Sequence, residues 1–145
     1  MRMRISVVIP VHNEERYLRY SLPALKRLDV DEYVFVLDRC TDHSFDLIIK
    51  AMKRATIIFK KRQRWRNGCA EAFQMGFDEA KGDVILAAGA DLIIDPKIPR
   101  LIRSLFRDSR LGTVCFRYLN YDLFSIKGRI HGFYENLYKT IIQRF

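Results

Sequence analysis

Long hydrophobic runs are missing from this sequence of 145 residues. The longest candidates, residues 84–90 and 92–94, fall far short of the roughly 20 apolar residues that a transmembrane helix needs. The start, MRMRISVVIP, carries an apolar run of about five residues, below the roughly 7 to 15 of a signal peptide. We therefore expect no membrane-spanning helix, and the opening residues predict a first β-strand.

Cysteine and histidine are scarce and scattered. The three cysteines are an odd number without the spacing of a metal site, which predicts reduced thiols and a cytoplasmic location. The three histidines lack the i, i+4 spacing of a helical zinc pair. These residues are Cys40, Cys69, Cys115, His12, His43 and His131.

Internal repeats, low-complexity runs and linkers are also absent, so we expect a single domain over residues 1–145. The apolar share of 49% and the charged share of 30% are those of a soluble globular protein. The net charge of +9 favours polyanions, meaning diphosphates, nucleic acid or an anionic membrane surface. A nucleic-acid-binding module rests only on this charge and one basic loop, so we disfavour it.

Apolar runs alternate with helical patterns along the chain. Strands are predicted at residues 5–9, 33–37, 56–59, 84–88 and 113–118, and the run at 84–88 is expected to be buried on both faces. Helices are predicted from residue 13 onward and over residues 43–54, 69–80, 97–107 and 129–145, the last being amphipathic. This order predicts an α/β fold with a mostly parallel sheet and helices on both faces.

Local signals refine the first unit. Pro10 should end the first strand because it has no amide donor. Asn13 is placed to cap the following helix, whose first turn carries Glu14 and Glu15. Pro23 predicts a kink or a late helix start.

Polar chemistry follows two of the strands where they end. Asp91, beside the small residues Gly89 and Ala90, is a candidate ligand for a hard divalent cation that also touches phosphates. Asp38 can accept hydrogen bonds from a base or from sugar hydroxyls, or can simply form a turn. Asp42 and Asp95 favour helix capping over ligand contact.

A basic loop, residues 60–66, carries five cations directly after the third strand. Arg64 and Arg66 are candidates for a bidentate clamp on a diphosphate, although a solvated loop is the alternative. Trp65 either stacks on a base or sugar or packs in the core.

Four motifs together resemble the family 2 glycosyltransferases. They are VVIPVHNE at residues 7–14, LDRCTDHS at 37–44, NGCAEAFQMGFDEAKGDVI at 67–85 and GADLIIDP at 89–96. The resemblance covers residues 5–105. It implies the GT-A fold, a Rossmann-like nucleotide-binding α/β domain, with a UDP- or GDP-linked sugar as donor and Mn²⁺ or Mg²⁺ as cofactor.

The resemblance also assigns roles to individual positions. It implies that Pro10, Asn13, Glu14 and Asp38 line the nucleoside pocket. Asp91 corresponds to the metal-binding second Asp of the family's Asp-x-Asp motif.

Two departures from the family pattern bear on activity. Gly89 stands where the first Asp of the motif holds the ribose. Family members also continue into acceptor loops with a late general base, whereas Asp122 and Glu135 are the only carboxylates here after Asp108 and are weak candidates for that role. A lipid phosphate is already an anion and needs no base, so a polyprenyl-phosphate acceptor fits, as does a split or inactive enzyme.

The sequence therefore predicts a metal-assisted, inverting glycosyltransferase. The alternative is a catalytically inactive or split sugar-nucleotide-binding domain that acts as a scaffold through a partner. We expect the last helix to mediate either peripheral contact with the inner face of a membrane or homodimerisation.

Overall fold

The structure, a computed structural model, describes residues 2–116, 125–130, 132, 133 and 136. The chain divides into two compact units, Met1–Asp108 and Ser109–Phe145. In the first unit, strands and helices alternate. Their bounds are β1 Ile5–Val11, α1 Glu15–Leu25, β2 Glu32–Asp38, α2 Ser44–Ala51, β3 Thr56–Lys60, α3 Gly68–Glu79, β4 Val84–Ala87 and α4 Ile98–Leu105.

The four strands form one sheet in the order β3-β2-β1-β4, and every pairing is parallel. The register places Val8 opposite both Val34 and Ala87, and Asp38 opposite Lys60. The parallel α/β architecture is therefore confirmed. Because all strands run in one direction, their carboxyl ends lie along the same edge.

Helices cover both faces of the sheet. One face of β1, with Val7 and Ile9, packs against apolar residues of α1 and α2. On the other face, α3 approaches β1 and β2 at Gly76, where an added Cβ would meet the Cγ1 of Val8 and lie 3.2 Å from the Cγ2 of Val36. The residues of α1 and α2 in the core are Leu18, Leu22, Leu25 and Ile48. The predicted placement of helices on both faces of the sheet is thus confirmed.

The close approach at Gly76 gives a stability prediction. Gly76→Ala should lower the free energy of unfolding by about 1–2 kcal/mol, because overpacking of a filled core outweighs the higher helix propensity of alanine. Urea unfolding followed by circular dichroism measures this loss. Gly112→Ala is the control, since nothing lies within 4 Å of a Cβ there. Equal stability of the two variants would contradict the close contact.

Two expectations about prolines need correction. Pro10 does not end β1, which continues to Val11. It is tolerated because β4 pairs with β1 only as far as Val8, so Pro10 lies beyond that ladder. A late start of α1 is also wrong, since the helix begins at Glu15 and continues through Pro23 in its last turns.

The expectation that β4 is buried on both faces is wrong. Its residues alternate between half-buried and exposed, and Ile85 is 37% exposed. Within the described residues, β4 is an edge strand, with β1 as its paired neighbour. An apolar run cannot by itself show how many neighbours a strand has.

In the second unit, the predicted strand at 113–118 is not present over residues 113–116, and residues 117–118 lie outside the described part. Helical residues begin at 126, three positions before the predicted start. Most of its expected apolar face lies outside the described residues, and Ile130 is exposed. No described helix combines the length and apolarity needed to cross a membrane. All three cysteines are free, as expected.

Candidate functional site

Four loops leave the carboxyl edge of the sheet, one after each strand. They are residues 12–14, 39–43, 61–67 and 88–97. Nearly all described candidate residues lie on these loops or at the strand ends beside them. Such an edge is where open α/β sheets bind ligands.

Asn13 joins the first two loops. Its Oδ1 accepts hydrogen bonds from the backbone N–H of Thr41 at 2.7 Å and of Asp42 at 3.3 Å. Asn13 has a φ of 56°, a left-handed conformation that asparagine tolerates. The prediction that Asn13 caps α1 is wrong, because its side-chain oxygen accepts hydrogen bonds from the neighbouring loop instead. Glu14 holds the cap position, without a side-chain bond.

Asp42 serves the start of two helices. Its Oδ2 accepts from the backbone N–H of Glu15 at 2.9 Å, and its Oδ1 accepts from the backbone N–H of Ser44 at 3.0 Å. The hydroxyl of Ser44 in turn accepts from the backbone N–H of Glu14 at 2.9 Å. Burial raises the pKa of Asp42, but hydrogen bonds from Ser44 and Glu15 lower it by more. These contacts tie the first two loops together. The prediction that Asp42 caps α2 is wrong in its position, because His43 holds the cap position without a side-chain bond, although Asp42 does accept from the first backbone N–H of that helix.

Asp38, the last residue of β2, is only 6% exposed. Its Oδ1 accepts from the Nε of Arg39 at 2.7 Å, and its Oδ2 accepts from the Nζ of Lys60 at 2.9 Å. Burial raises the pKa of this carboxyl, but the hydrogen bonds from Arg39 and Lys60 lower it by more, so it is ionised. A carboxylate has about four lone-pair sites, so these contacts still leave acceptor capacity for a ligand.

Arg39 connects this carboxylate to the basic loop. Its φ of 52° is unusual for a residue with a Cβ, and such backbone strain clusters at functional sites. The guanidinium contacts Asp38 and donates from Nη2 to the Oε1 of Gln63 at 2.9 Å. The amide of Gln63 then donates to the carbonyl of Trp65 at 3.0 Å.

The basic loop is not a uniform run of solvated cations. Lys60 is buried, with its side chain 1% exposed, between Asp38 and Glu71. Arg64 and Arg66 are exposed, as a diphosphate clamp requires. Trp65 is 48% exposed, so the core-packing alternative is wrong.

The loop after β4 places Asp91 on the surface near Glu14. Burial, together with the negative charges of Asp91 and Asp42, raises the pKa of Glu14, and His12 lowers it by less. A Cβ on Gly89 would lie 2.6 Å from the Oδ1 of Asp91, so the absence of a side chain at Gly89 makes room for that carboxylate. The Oδ1 of Asp95 accepts from the backbone N–H of Lys97 at 2.8 Å. The prediction that Asp95 caps α4 is wrong in its position, because Lys97 holds the cap position without a side-chain bond.

The chemistry of this corner fits a cation shared with a ligand. No group of three or more His, Cys, Asp or Glu side chains within the described ranges is placed to hold a metal by itself. Mg²⁺ and similar ions at phosphate sites need only one or two carboxylates, since phosphate oxygens and water fill the other positions. Asp91 supplies one carboxylate, and Glu14 lies close enough for the charge of Asp91 to raise its pKa, so this corner meets that requirement.

The raised pKa of Glu14 predicts that Glu14→Gln stabilises the fold at neutral pH. Because the folded-state pKa lies above the unfolded one, ionisation of Glu14 opposes folding once the pH rises above the ordinary value of 4.5. Thermal unfolding should show a higher Tm for the variant at pH 7, with the difference vanishing below about pH 4. Glu15→Gln is the contrast, since the pKa of Glu15 is lowered by its bond to Arg19. A lower Tm for Glu14→Gln at pH 7 would contradict the raised pKa of Glu14.

Comparison with known proteins gives the family. A family model described as Glycosyl transferase family 2 matches residues 6–145. The chain belongs to glycosyl transferase family 2. A relative from Pseudomonas syringae pv. syringae (strain B728a), named undecaprenyl-phosphate 4-deoxy-4-formamido-L-arabinose transferase, is 38% identical over 106 residues, which are 68% of this chain and 32% of that protein. A probable glycosyltransferase, YdaM of Bacillus subtilis (strain 168), is 30% identical over 127 residues, 81% of this chain and 30% of that protein.

Solved structures confirm the GT-A fold of this family 2 chain. The mannosyltransferase PcManGT from Pyrobaculum calidifontis, in complex with GDP-Man and Mn²⁺, gives a TM-score of 0.62 at 20% identity, covering 72% of this chain and 33% of that one. S. aureus TarS 1-349 in complex with UDP-GlcNAc gives a TM-score of 0.61 at 16% identity, covering 83% of this chain and 39% of that one. At identities this low, the similarity shows only that the fold is shared. The chain spans about a third of the length of the curated relatives it matches.

Sequence reasoning on this family 2 chain missed the buried partners of Asp38. Lys60 stands in the same run as the exposed cations, and Glu71 is one of several acidic residues on a predicted helix. The one available signal was an acidic residue four positions after the capping Asn67, which places Glu71 in the first turn of α3 facing the loop. The catalytic candidates Asp122 and Glu135 lie outside the described residues.

Proposed function

We propose that this chain is the nucleotide-sugar-binding part of a glycosyltransferase that moves a sugar from a UDP- or GDP-linked donor. The observation that carries this is the arrangement along one edge of a parallel sheet. An acidic corner at Glu14 and Asp91 and an exposed pair of arginines, Arg64 and Arg66, occupy loops of the same edge. A metal-bound diphosphate has both the charge and the oxygen atoms that these groups attract.

Each group has a distinct task in this proposal. Pro10, Asn13, Glu14 and Asp38 surround the nucleoside, with Asp38 accepting hydrogen bonds from base or sugar. Gly89 lies beside the ribose but has no side chain, so it does not contribute the carboxylate found at this position in the family motif. Arg64 and Arg66 donate to the diphosphate oxygens.

The reaction is a substitution at the anomeric carbon. An acceptor oxygen forms a bond to that carbon as the bond to the diphosphate oxygen breaks, and the electron pair leaves with the nucleoside diphosphate. One such displacement inverts the configuration. Mn²⁺ or Mg²⁺ held by Asp91 would supply Lewis-acid stabilisation of the leaving diphosphate, while the arginines stabilise the same charge from the other loop.

A lipid phosphate is the acceptor that best suits this chain. A phosphate anion needs no deprotonation before it attacks, so the reaction does not depend on a general base. The similar protein from Pseudomonas syringae carries undecaprenyl phosphate in its name. Such an acceptor implies peripheral contact with the inner face of a membrane from the cytoplasm.

Calorimetric titration with UDP and with GDP, each with and without Mn²⁺, tests the donor site. We expect one of the two to bind with an affinity that depends on Mn²⁺. Absence of binding to either nucleotide in the presence of Mn²⁺ would refute the proposal.

The second candidate is a scaffold that binds sugar nucleotide without turnover. Gly89 favours it, because this position lacks the carboxylate with which the family motif holds the ribose. Assays of donor hydrolysis and of transfer to polyprenyl phosphate separate the two functions. Metal-dependent binding with no turnover on any acceptor supports the scaffold.

A further inference from the structure

Glu71 is a buried acid at the start of α3 whose carboxylate accepts hydrogen bonds from the backbone of the basic loop. Its side chain is 8% exposed. Its Oε1 accepts from the backbone N–H of Arg64 at 3.1 Å, and its Oε2 accepts from the same N–H at 3.0 Å and from that of Trp65 at 3.4 Å. These are main-chain contacts, so they fix the path of the loop and leave the arginine side chain available to a ligand.

Lys60 connects Glu71 to Asp38. Its ammonium lies 2.9 Å from the Oδ2 of Asp38 and 3.2 Å from the Oε2 of Glu71, and it donates to the carbonyl of Gly68 at 3.0 Å. One buried cation thereby sets the spacing between the carboxylate proposed to hold the nucleoside and the acid that holds the arginine loop.

We propose that Glu71 is a positioning residue for the diphosphate, presenting the Arg64–Arg66 loop at a fixed distance from Asp38. This inference rests on the proposed function. It differs from a purely structural role because it predicts which part of the nucleotide loses affinity when Glu71 changes.

Pre-organisation explains why such a contact matters. Residues 61–67 are exposed, so without Glu71 the backbone that carries the two arginines would be ordered only when the ligand binds, at the cost of its conformational entropy. Burial raises the pKa of Glu71, but hydrogen bonds from Arg64, Lys60 and Trp65 lower it by more, so the residue is an anion. Direct electrostatics therefore predicts that its removal tightens binding of a diphosphate, whereas positioning predicts weaker binding.

The opposite signs allow a decisive measurement on Glu71→Gln. Glutamine keeps one acceptor oxygen, but its NH2 group replaces the other oxygen and faces the donors of Lys60 or of the loop backbone, so the hold on the loop is weakened. With Mn²⁺ present, the nucleoside, monophosphate and diphosphate of the base that the wild type prefers are titrated by NMR and calorimetry. We expect the gain in affinity from nucleoside to diphosphate to fall about 10-fold, as the entropy cost of fixing the backbone of about one residue implies, with nucleoside affinity unchanged. Glu79→Gln removes the same charge from an exposed position on the same helix and should not reduce that gain.

A double-mutant cycle separates positioning from general damage. In a chain that already carries Arg64→Ala and Arg66→Ala, Glu71→Gln should cause no further loss of diphosphate affinity. An additive loss, an equal loss for nucleoside and diphosphate, or unchanged or tighter diphosphate binding would each overturn the inference. If Glu71→Gln does not fold, Glu71→Asp, which keeps the charge but is too short for both amides, is judged by the same criteria. Failure of the wild type to bind any nucleotide would instead refute the proposed function, and the inference with it.

Discussion

Asp91→Asn should abolish the Mn²⁺-dependent part of nucleotide binding while leaving the fold intact. The side chain is exposed, so its replacement removes no core packing. The affinity measured with Mn²⁺ should fall by at least about 100-fold, since even residues that only support metal ligands commonly account for 10- to 100-fold. Calorimetric titration with and without Mn²⁺ measures the effect, and circular dichroism verifies the fold.

The matched control is Asp95→Asn, four residues further along the same loop. It removes the same charge, and its amide oxygen can still accept from the backbone N–H of Lys97. We expect its Mn²⁺-dependent affinity to stay within about 2-fold of the wild type, as for surface charges remote from a site. Unchanged affinity in Asp91→Asn, or an equal loss in both variants, would remove the metal assignment from Asp91.

The fold of this chain was predictable because its elements follow from local patterns. Residues 5–9 are apolar apart from Ser6, and residues 33–37 are apolar throughout. Each run is followed by a helical stripe, such as Leu18, Leu22 and Leu25 after the first. Strands that alternate with helices leave a parallel sheet as the favourable arrangement. The predicted ligand-binding edge then follows from strand direction alone.

Details that depend on contacts between distant segments were not predictable in this way. Which of five cations is buried depends on the register that places Lys60 opposite Asp38. The exposure of Ile85 depends on the sheet order, and the role of Asn13 depends on the position of a loop 28 residues away. Sequence patterns report the preferences of a segment and say little about its neighbours across the sheet.

Lys60→Met should be the most destabilising single change at this edge of the sheet. Methionine has a similar length but leaves two buried carboxylates, Asp38 and Glu71, without their shared cation. Removing one partner from a buried ion pair typically costs about 3–5 kcal/mol of unfolding free energy. Urea unfolding at neutral pH measures the loss.

Lys61→Met is the control, because the adjacent lysine is exposed and its loss should change stability by no more than about 0.5 kcal/mol. An equal effect of the two substitutions would mean that Lys60 is not held between the acids.

The pH dependence of the Lys60→Met deficit tests its cause. In the folded wild type the pKa values of Asp38 and Glu71 are lowered, and Lys60 is one source of each shift. Their stabilising contribution is therefore present above the ordinary carboxyl pKa and is lost as the pH falls through the lowered values. In the variant both pKa values rise, so less of this contribution remains at neutral pH, and the difference between the two proteins disappears once the carboxyls are protonated in both. The deficit should be largest near pH 7 and should shrink as the pH falls below about 4, whereas a deficit caused by altered packing would be the same at both pH values.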